Sequence, residues 1–286
     1  MKRISLGLGV LVAITAITGN AQQAAPVPAA PAAAESASPS LDSALQGSWR
    51  DPKNVARDAW RHPKETLSFF GVAPTHTVIE ITPGGGWYSE ILAPYLGPQG
   101  QYIAAVVDPA SAAEGRARDY QQRSKTALEE KFAAGKAQYG KVSTIGFDPK
   151  APIFGPANSA DVVVTFRNVH NWRGAGNAEG MFKGFYNVLK PGGVLGVVEH
   201  RAAVDVPADD KSGYVGQAQV IAMAEAAGFT LAEASEINAN PKDTKDHPNG
   251  VWTLPPSADH EPADAEKYKA IGESDRMTLR FLKTAK

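Results

Sequence analysis

The run Thr77–Leu92, TVIEITPGGGWYSEIL, constrains this chain more than any other stretch. Its first part, Val78–Ile81, is largely β-branched and apolar and suits a buried strand. Pro83 and three glycines, Gly84, Gly85 and Gly86, come next. An amphipathic pattern then runs from Trp87 through Ile91 and Leu92 to Leu96, where Gly97 and Pro98 stop it. Strand, tight turn and helix in this order set backbone N–H groups and a positive helix end at the carboxyl end of a strand. Glycine belongs in such a turn because a Cβ would hold a ligand off the backbone.

A second strand, Gln101–Val107, ends at Asp108. Asp108 lies roughly 20 positions past the turn, the spacing of an acid that accepts hydrogen bonds from a ribose. G-x-G-x-x-G cannot be completed, because Ser89 stands where the third glycine would be, and no Lys follows the glycines to make a phosphate loop. Downstream, strands and helices alternate. A helical stretch covers 110–134, a third strand Val142–Phe147 leads to Asp148, and a fourth strand, Asp161–Phe166, ends in Arg167-Asn168-Val169-His170-Asn171-Trp172. A helix follows over 178–189, then Lys190-Pro191-Gly192-Gly193 and a fifth strand, Val194–Val198, ending in Glu199-His200-Arg201. Further elements are a helix over 214–227, a sixth strand over 230–237, an extended piece over 250–254 and a closing strand over 276–282. This alternation predicts a parallel sheet with helices on both faces. Upstream, Pro52 and Pro63 each suit a first helical position, with Val55, Ala56, Ala59 and Trp60 on one face. Arg57, Arg61 and His62 read as a solvated basic surface.

Glu80-Ile81-Thr82-Pro83-Gly84-Gly85-Gly86, with Asp108 after the next strand, resembles the first motif and second-strand acid of class I S-adenosylmethionine (SAM)-dependent methyltransferases. That family has acid-x-Gly-x-Gly-x-Gly, and here Thr82 replaces the first glycine. VLKPGGVLGVVEH resembles the family's block before its fifth strand. PGGGWYSEILAPYLG, FRNVHNW and SGYVGQAQVIAMAEAAGF together resemble a bacterial group of exported proteins predicted to be methyltransferases. The resemblance implies a Rossmann-like α/β fold: a mostly parallel seven-stranded sheet, helices on both faces, an antiparallel last strand beside the fifth, and a helical lead-in that often covers the cofactor cleft, which is the other reading of Arg57, Arg61 and His62. It implies SAM as cofactor, with Glu80, Thr82, Pro83, Gly84, Gly86, Asp108, Asp148, Phe166 and Asn168 at the cofactor and Asp148 toward the adenine.

Methyl transfer from a sulfonium is an in-line displacement that needs mainly alignment. Aromatic walls tolerate the cation, and Trp87, Tyr88, Phe166 and Trp172 fall near the cleft. A base of near-neutral pKa points to histidine. His170 is the expected base, with His200 or Glu199 orienting it or the substrate. A metal site drawing on His170, Glu199, His200 and His247 is a weaker alternative, since no tight ligand motif such as H-E-x-x-H is present, and no metal is expected. A third possibility is an exported ligand-binding protein without turnover.

Among 286 residues the net charge is −1, which gives no broad basic footprint for nucleic acid. The chain has no cysteine, so disulfides and thiolate metal sites are excluded. Lys2 and Arg3, the apolar run Ile4–Ile17 and Gly19-Asn20-Ala21 read as a signal peptide over residues 1–21. An Ala/Pro-rich linker is expected over 22–47 and the methyltransferase-like domain over 48–286. The expected location is periplasmic or secreted, with a small-molecule partner and no stable membrane insertion once the leader is cut.

Overall fold

The computed structural model describes Gly9 and residues 40–97 and 99–284, which lie, Gly9 apart, in the unit Ser38–Lys286. The expected leader and most of the expected linker fall outside the described residues. Folded structure begins earlier than expected: Ser40 caps a helix, Leu41–Leu45, in which Ala44 is buried. Among the described residues no helix is long and apolar enough to cross a membrane.

Seven strands form one sheet: β1 Thr77–Ile81, β2 Gln101–Val107, β3 Val142–Phe147, β4 Ala160–Phe166, β5 Leu189–His200, β6 Phe229–Ser235 and β7 Arg276–Lys283. Their order is β3-β2-β1-β4-β5-β7-β6. The first five are parallel neighbours, and β7 runs antiparallel between β5 and β6. β1 is central because it can be buried on both sides. Val78, Ile79 and Ile81 are all fully buried.

The two-residue period of the strands sorts their side chains onto two faces. Ile79 and Ile81, Val163, Leu195 and Val197 enter one apolar layer, covered by Met181, Phe182 and Phe185 of the helix Ala178–Val188 and by Val220 and Ala224 of Gln217–Ala226. Val78, Val162, Val164 and Val198 enter the other, beneath Leu67 of the helix Pro63–Phe69, Ile91 and Leu92 of Ser89–Leu96, and Leu128 and Phe132 of Arg116–Ala134. Phe70 packs on this face where Gly196 of β5 leaves room: a Cβ there would meet the Phe70 ring at 2.6 Å.

Several local expectations are corrected. The stretch 110–134 is not one helix. Asp108 caps a short turn, Pro109–Ser111, and the long helix starts only at Arg116, after Gly115 in the left-handed region. The segment 250–254 is a tight helical turn, not extended, because Gly250 has φ 54° and Val251 N–H donates to Ser212 C=O. The helix expected from Tyr214 begins at Gln217, since Val215 bridges to Arg201. Residues 52–61 split into Pro52–Val55 and Asp58–Arg61, and Val55 and Trp60 remain 42% and 38% exposed, so they do not form an inward apolar face.

Candidate functional site

Strand order reverses between β1 and β4, so the loops leaving their carboxyl ends diverge and open a crevice. The glycine turn fills that position. Thr82 has φ 51°, Gly84 60° and Gly86 77°. A β-branched residue in the left-handed region stores about 1–3 kcal/mol of strain, which accounts for the glycine that the resembled family carries at this point. A Cβ added to Gly84 or Gly85 would meet nothing within 4 Å, whereas one on Gly86 would press on Leu128 and Ser89. Bare backbone at Gly84 and Gly85 therefore faces open space in front of the helix Ser89–Leu96.

Glu80 lies under the turn, on the strand face that receives Tyr102 and Ser89. It is 2% exposed. Tyr102 Oη donates to its carboxylate at 2.6 Å and Ser89 Oγ at 3.3 Å. Burial outweighs these two hydrogen bonds and raises its pKa from 4.5 to about 7.

The crevice has a volume of about 760 Å³, within the range of about 300–1,000 Å³ that holds small molecules. Thr82, Pro83, Gly84 and Gly85 line its floor with Glu80, and Asp148, Val106, Val107, Ser111 and Ala112 line one end. Asp148 Oδ1 accepts from Lys150 N–H there. At the other end Phe166 stacks on Tyr88, centroids 3.6 Å apart and planes within 10°. Asn168 Nδ2 donates to Ile81 C=O at 3.0 Å, tying the end of β4 to the end of β1. Asp108 is not among the lining residues. Its side chain is exposed, lies over Gly146 of β3, and its Oδ1 accepts from Ala110 N–H at 2.9 Å.

The short helix Val169–Gly174 presents Asn168, Asn171, Trp172 and Ala175 to the crevice. That spacing is one helical face, and it turns His170 away. His170, Glu199 and His200 do come together, but none of the three lines the crevice. The expected base and the groups expected to orient it thus form a cluster beside the site. His170 Nδ1 lies 3.1 Å from Glu199 Oε1, and the two imidazole centroids are 5.5 Å apart. Glu199 is fully buried, and its carboxylate accepts from the backbone N–H of Val169, His170 and His200. Burial, then the neighbouring His170, Arg167, Arg276 and Arg61, hold the His200 pKa well below 6.5. One ligand atom from each lies within 4.8 Å of the others, yet Glu199's oxygens are committed and the surrounding charge is positive, so the donor set suits a cation poorly. His247 stands apart, with Nε2 2.9 Å from Asp243 Oδ1.

The lining also holds residues for which the sequence left surface and cleft cover both open, or which it did not single out. Arg57, Arg61 and Arg167 all face the crevice. Arg61 is 3% exposed, with its guanidinium 4.7 Å from the Trp87 ring centroid. Burial, reinforced by Arg167 and only partly offset by Glu273, lowers its pKa to about 8. The partner of these arginines, Glu273, is 212 residues from Arg61 along the chain, and no local pattern links them.

No family model matches the chain, and no curated protein matches it. Solved structures do. A SAM-dependent methyltransferase from Aquifex aeolicus is 16% identical, with 85% of this chain and 98% of that one covered at a TM-score of 0.53. The 4+2 cyclase SpnF is 16% identical over 80% of this chain and 82% of its own, at 0.55. The pyocyanin biosynthetic protein PhzM is 10% identical over 85% and 61%, at 0.50. These likenesses establish the Rossmann-like fold of class I methyltransferases. That a protein named as a cyclase shares the fold shows how little the scaffold alone says about the reaction.

Proposed function

We propose that this chain is a SAM-dependent methyltransferase acting on a small-molecule or cell-envelope acceptor. The observation that carries the reading is the open glycine cradle: Gly84 and Gly85 have no neighbour where a Cβ would go, and they floor a crevice at the switch point of this fold. The residues present fit the cofactor. Gly84–Gly86 would take its backbone-contacting tail, Asp148 its adenine end, and Tyr88 with Phe166 the wall beside the sulfonium. When bound, SAM supplies an activated methyl group for in-line displacement.

The chain's own contribution is alignment and exclusion of water. The Trp87 ring already has two cations against it, with the Arg61 and Arg50 guanidinium carbons 4.7 and 5.5 Å from its centroid. Glu80 lines the crevice floor, but Tyr102 and Ser89 hold its carboxylate under the turn, and no imidazole lines the crevice. His170, anchored by Glu199, receives the acceptor's proton only for a substrate that reaches past Asn171. Because no histidine lines the crevice, binding without turnover is the second reading. The basic, apolar and small residues at the chain's start support an exported protein for both.

Calorimetry with SAM and S-adenosylhomocysteine tests the reading. Binding is expected, and no heat at millimolar ligand would end it. Asp108→Ala separates two placements of the ribose: a large loss of affinity means that Asp108 leaves Ala110 to grip the sugar, and an unchanged affinity means that it does not.

A further inference from the structure

Four guanidinium groups converge on the single carboxylate of Glu273. Arg57 Nε lies 2.6 Å from Oε1; Arg61 Nε, Arg276 Nη2 and Arg167 Nη1 lie 3.2, 2.8 and 3.9 Å from Oε2. Other carboxylates at this end of the fold are committed. Asp58 is held by Arg50, Asp275 by Arg201 and Lys245, and Glu199 by backbone amides and His170. Glu80 is half-protonated near neutrality. The cluster therefore carries a large excess of positive charge, and three of its four members open into the crevice. Arg57 Nη2 is buried with no hydrogen-bond partner, and Arg167 meets Glu273 only at long range. Guanidinium forks left in this state are matched by planar or tetrahedral oxyanions.

We propose that Arg57, Arg61 and Arg167 form an anion subsite at the β4 end of the crevice, built for a carboxylate or a phosphate-type group on the bound small molecule. Two sources share that chemistry: the amino-acid tail of the methyl donor and the acceptor itself. A zwitterionic tail brings an ammonium with its carboxylate and leaves the excess charge standing. Taken with the methyltransferase reading, on which this last step rests, the acceptor is an anion.

The test uses the purified full chain, with thermal unfolding in potassium phosphate against potassium chloride at matched ionic strength. Phosphate is expected to raise the midpoint of the wild type. Arg57→Gln and Arg167→Gln, both at partly exposed side chains, should weaken the apparent phosphate affinity at least tenfold. Arg57→Lys, which keeps the charge and loses the fork, should fall between and serves if a Gln variant does not fold. Equal midpoints in phosphate and chloride, or variants that respond like the wild type, overturn the subsite. The source is read from S-adenosylhomocysteine against 5′-methylthioadenosine, which lacks the amino-acid tail. Loss of affinity in the variants for the first alone assigns the subsite to the cofactor's carboxylate; unchanged affinity for both assigns it to the acceptor. A phosphate response with no nucleoside binding keeps the subsite and removes the methyltransferase reading. Nucleoside binding with no phosphate response does the reverse.

Discussion

Glu80 occupies the acid position of the glycine motif, but it is buried, and burial raises its pKa from 4.5 to about 7. The folded state therefore binds more protons than the unfolded state between those values, so its stability falls as pH rises from about 4.5 to 7. A shift of this size corresponds to about 3 kcal/mol. Glu80→Gln keeps an acceptor for Tyr102 and Ser89 and removes the titration. Its unfolding free energy should change less between pH 5 and 7 than the wild type's, and at pH 8 it should exceed the wild type's by about 1–3 kcal/mol. A variant less stable than the wild type at pH 8 would mean that the ionised carboxylate is well solvated or paired.

Elements carry two further predictions. The turn after β1 leaves Gly85 without positive φ and with open space at its Cβ position. Gly85→Leu should thus change stability by no more than about 1 kcal/mol, while calorimetry finds S-adenosylhomocysteine affinity reduced tenfold or more. In β5, Gly196 gives way to the Phe70 ring. Gly196→Ala should lower stability by about 1–3 kcal/mol through overpacking, seen as a shifted urea midpoint. Combining it with Phe70→Leu should cost less than the sum of the two single changes, because both act on one contact. Most strands were readable: β2 and β3 match their predicted limits and β4 and β7 differ by one residue, but β5 runs Leu189–His200 and takes in the stretch 190–193 expected as a turn. Short helices were less so, since their ends depend on partners outside the segment, as Tyr214 and Val215 illustrate.

On the scale of the molecule, Glu273 joins chain ends that the sheet separates. It takes Arg57 and Arg61 from the N-terminal cover and Arg276 from the start of β7. Burial pushes its pKa up, but Arg276, Arg61 and Arg57 outweigh that and hold it at about 2. Its contribution is present above pH 4.5 and is lost as pH falls toward 2. Glu273→Gln should lower stability at pH 7 by about 3–5 kcal/mol, since it leaves buried guanidinium groups unpaired. Urea unfolding measures this, and the variant should lack the wild type's loss between pH 4.5 and 2. A change under about 1 kcal/mol would show that water already screens the cluster.

The sequence alone determined the alternating strands and helices, the strand–glycine–helix turn and the position of the crevice, because these follow from periodicities and backbone requirements a few residues long; the antiparallel last strand was implied only by the family resemblance. Glu80, Thr82, Asp148, Phe166 and Asn168, placed beside the cleft by their motifs, do line it; only the tertiary structure decided the rest. It turned His170 and Asp108 out of the lining and brought Arg57, Arg61 and Arg167 in. Helix rotation and a carboxylate 212 residues from Arg61 control those directions, and neither is written in any local pattern.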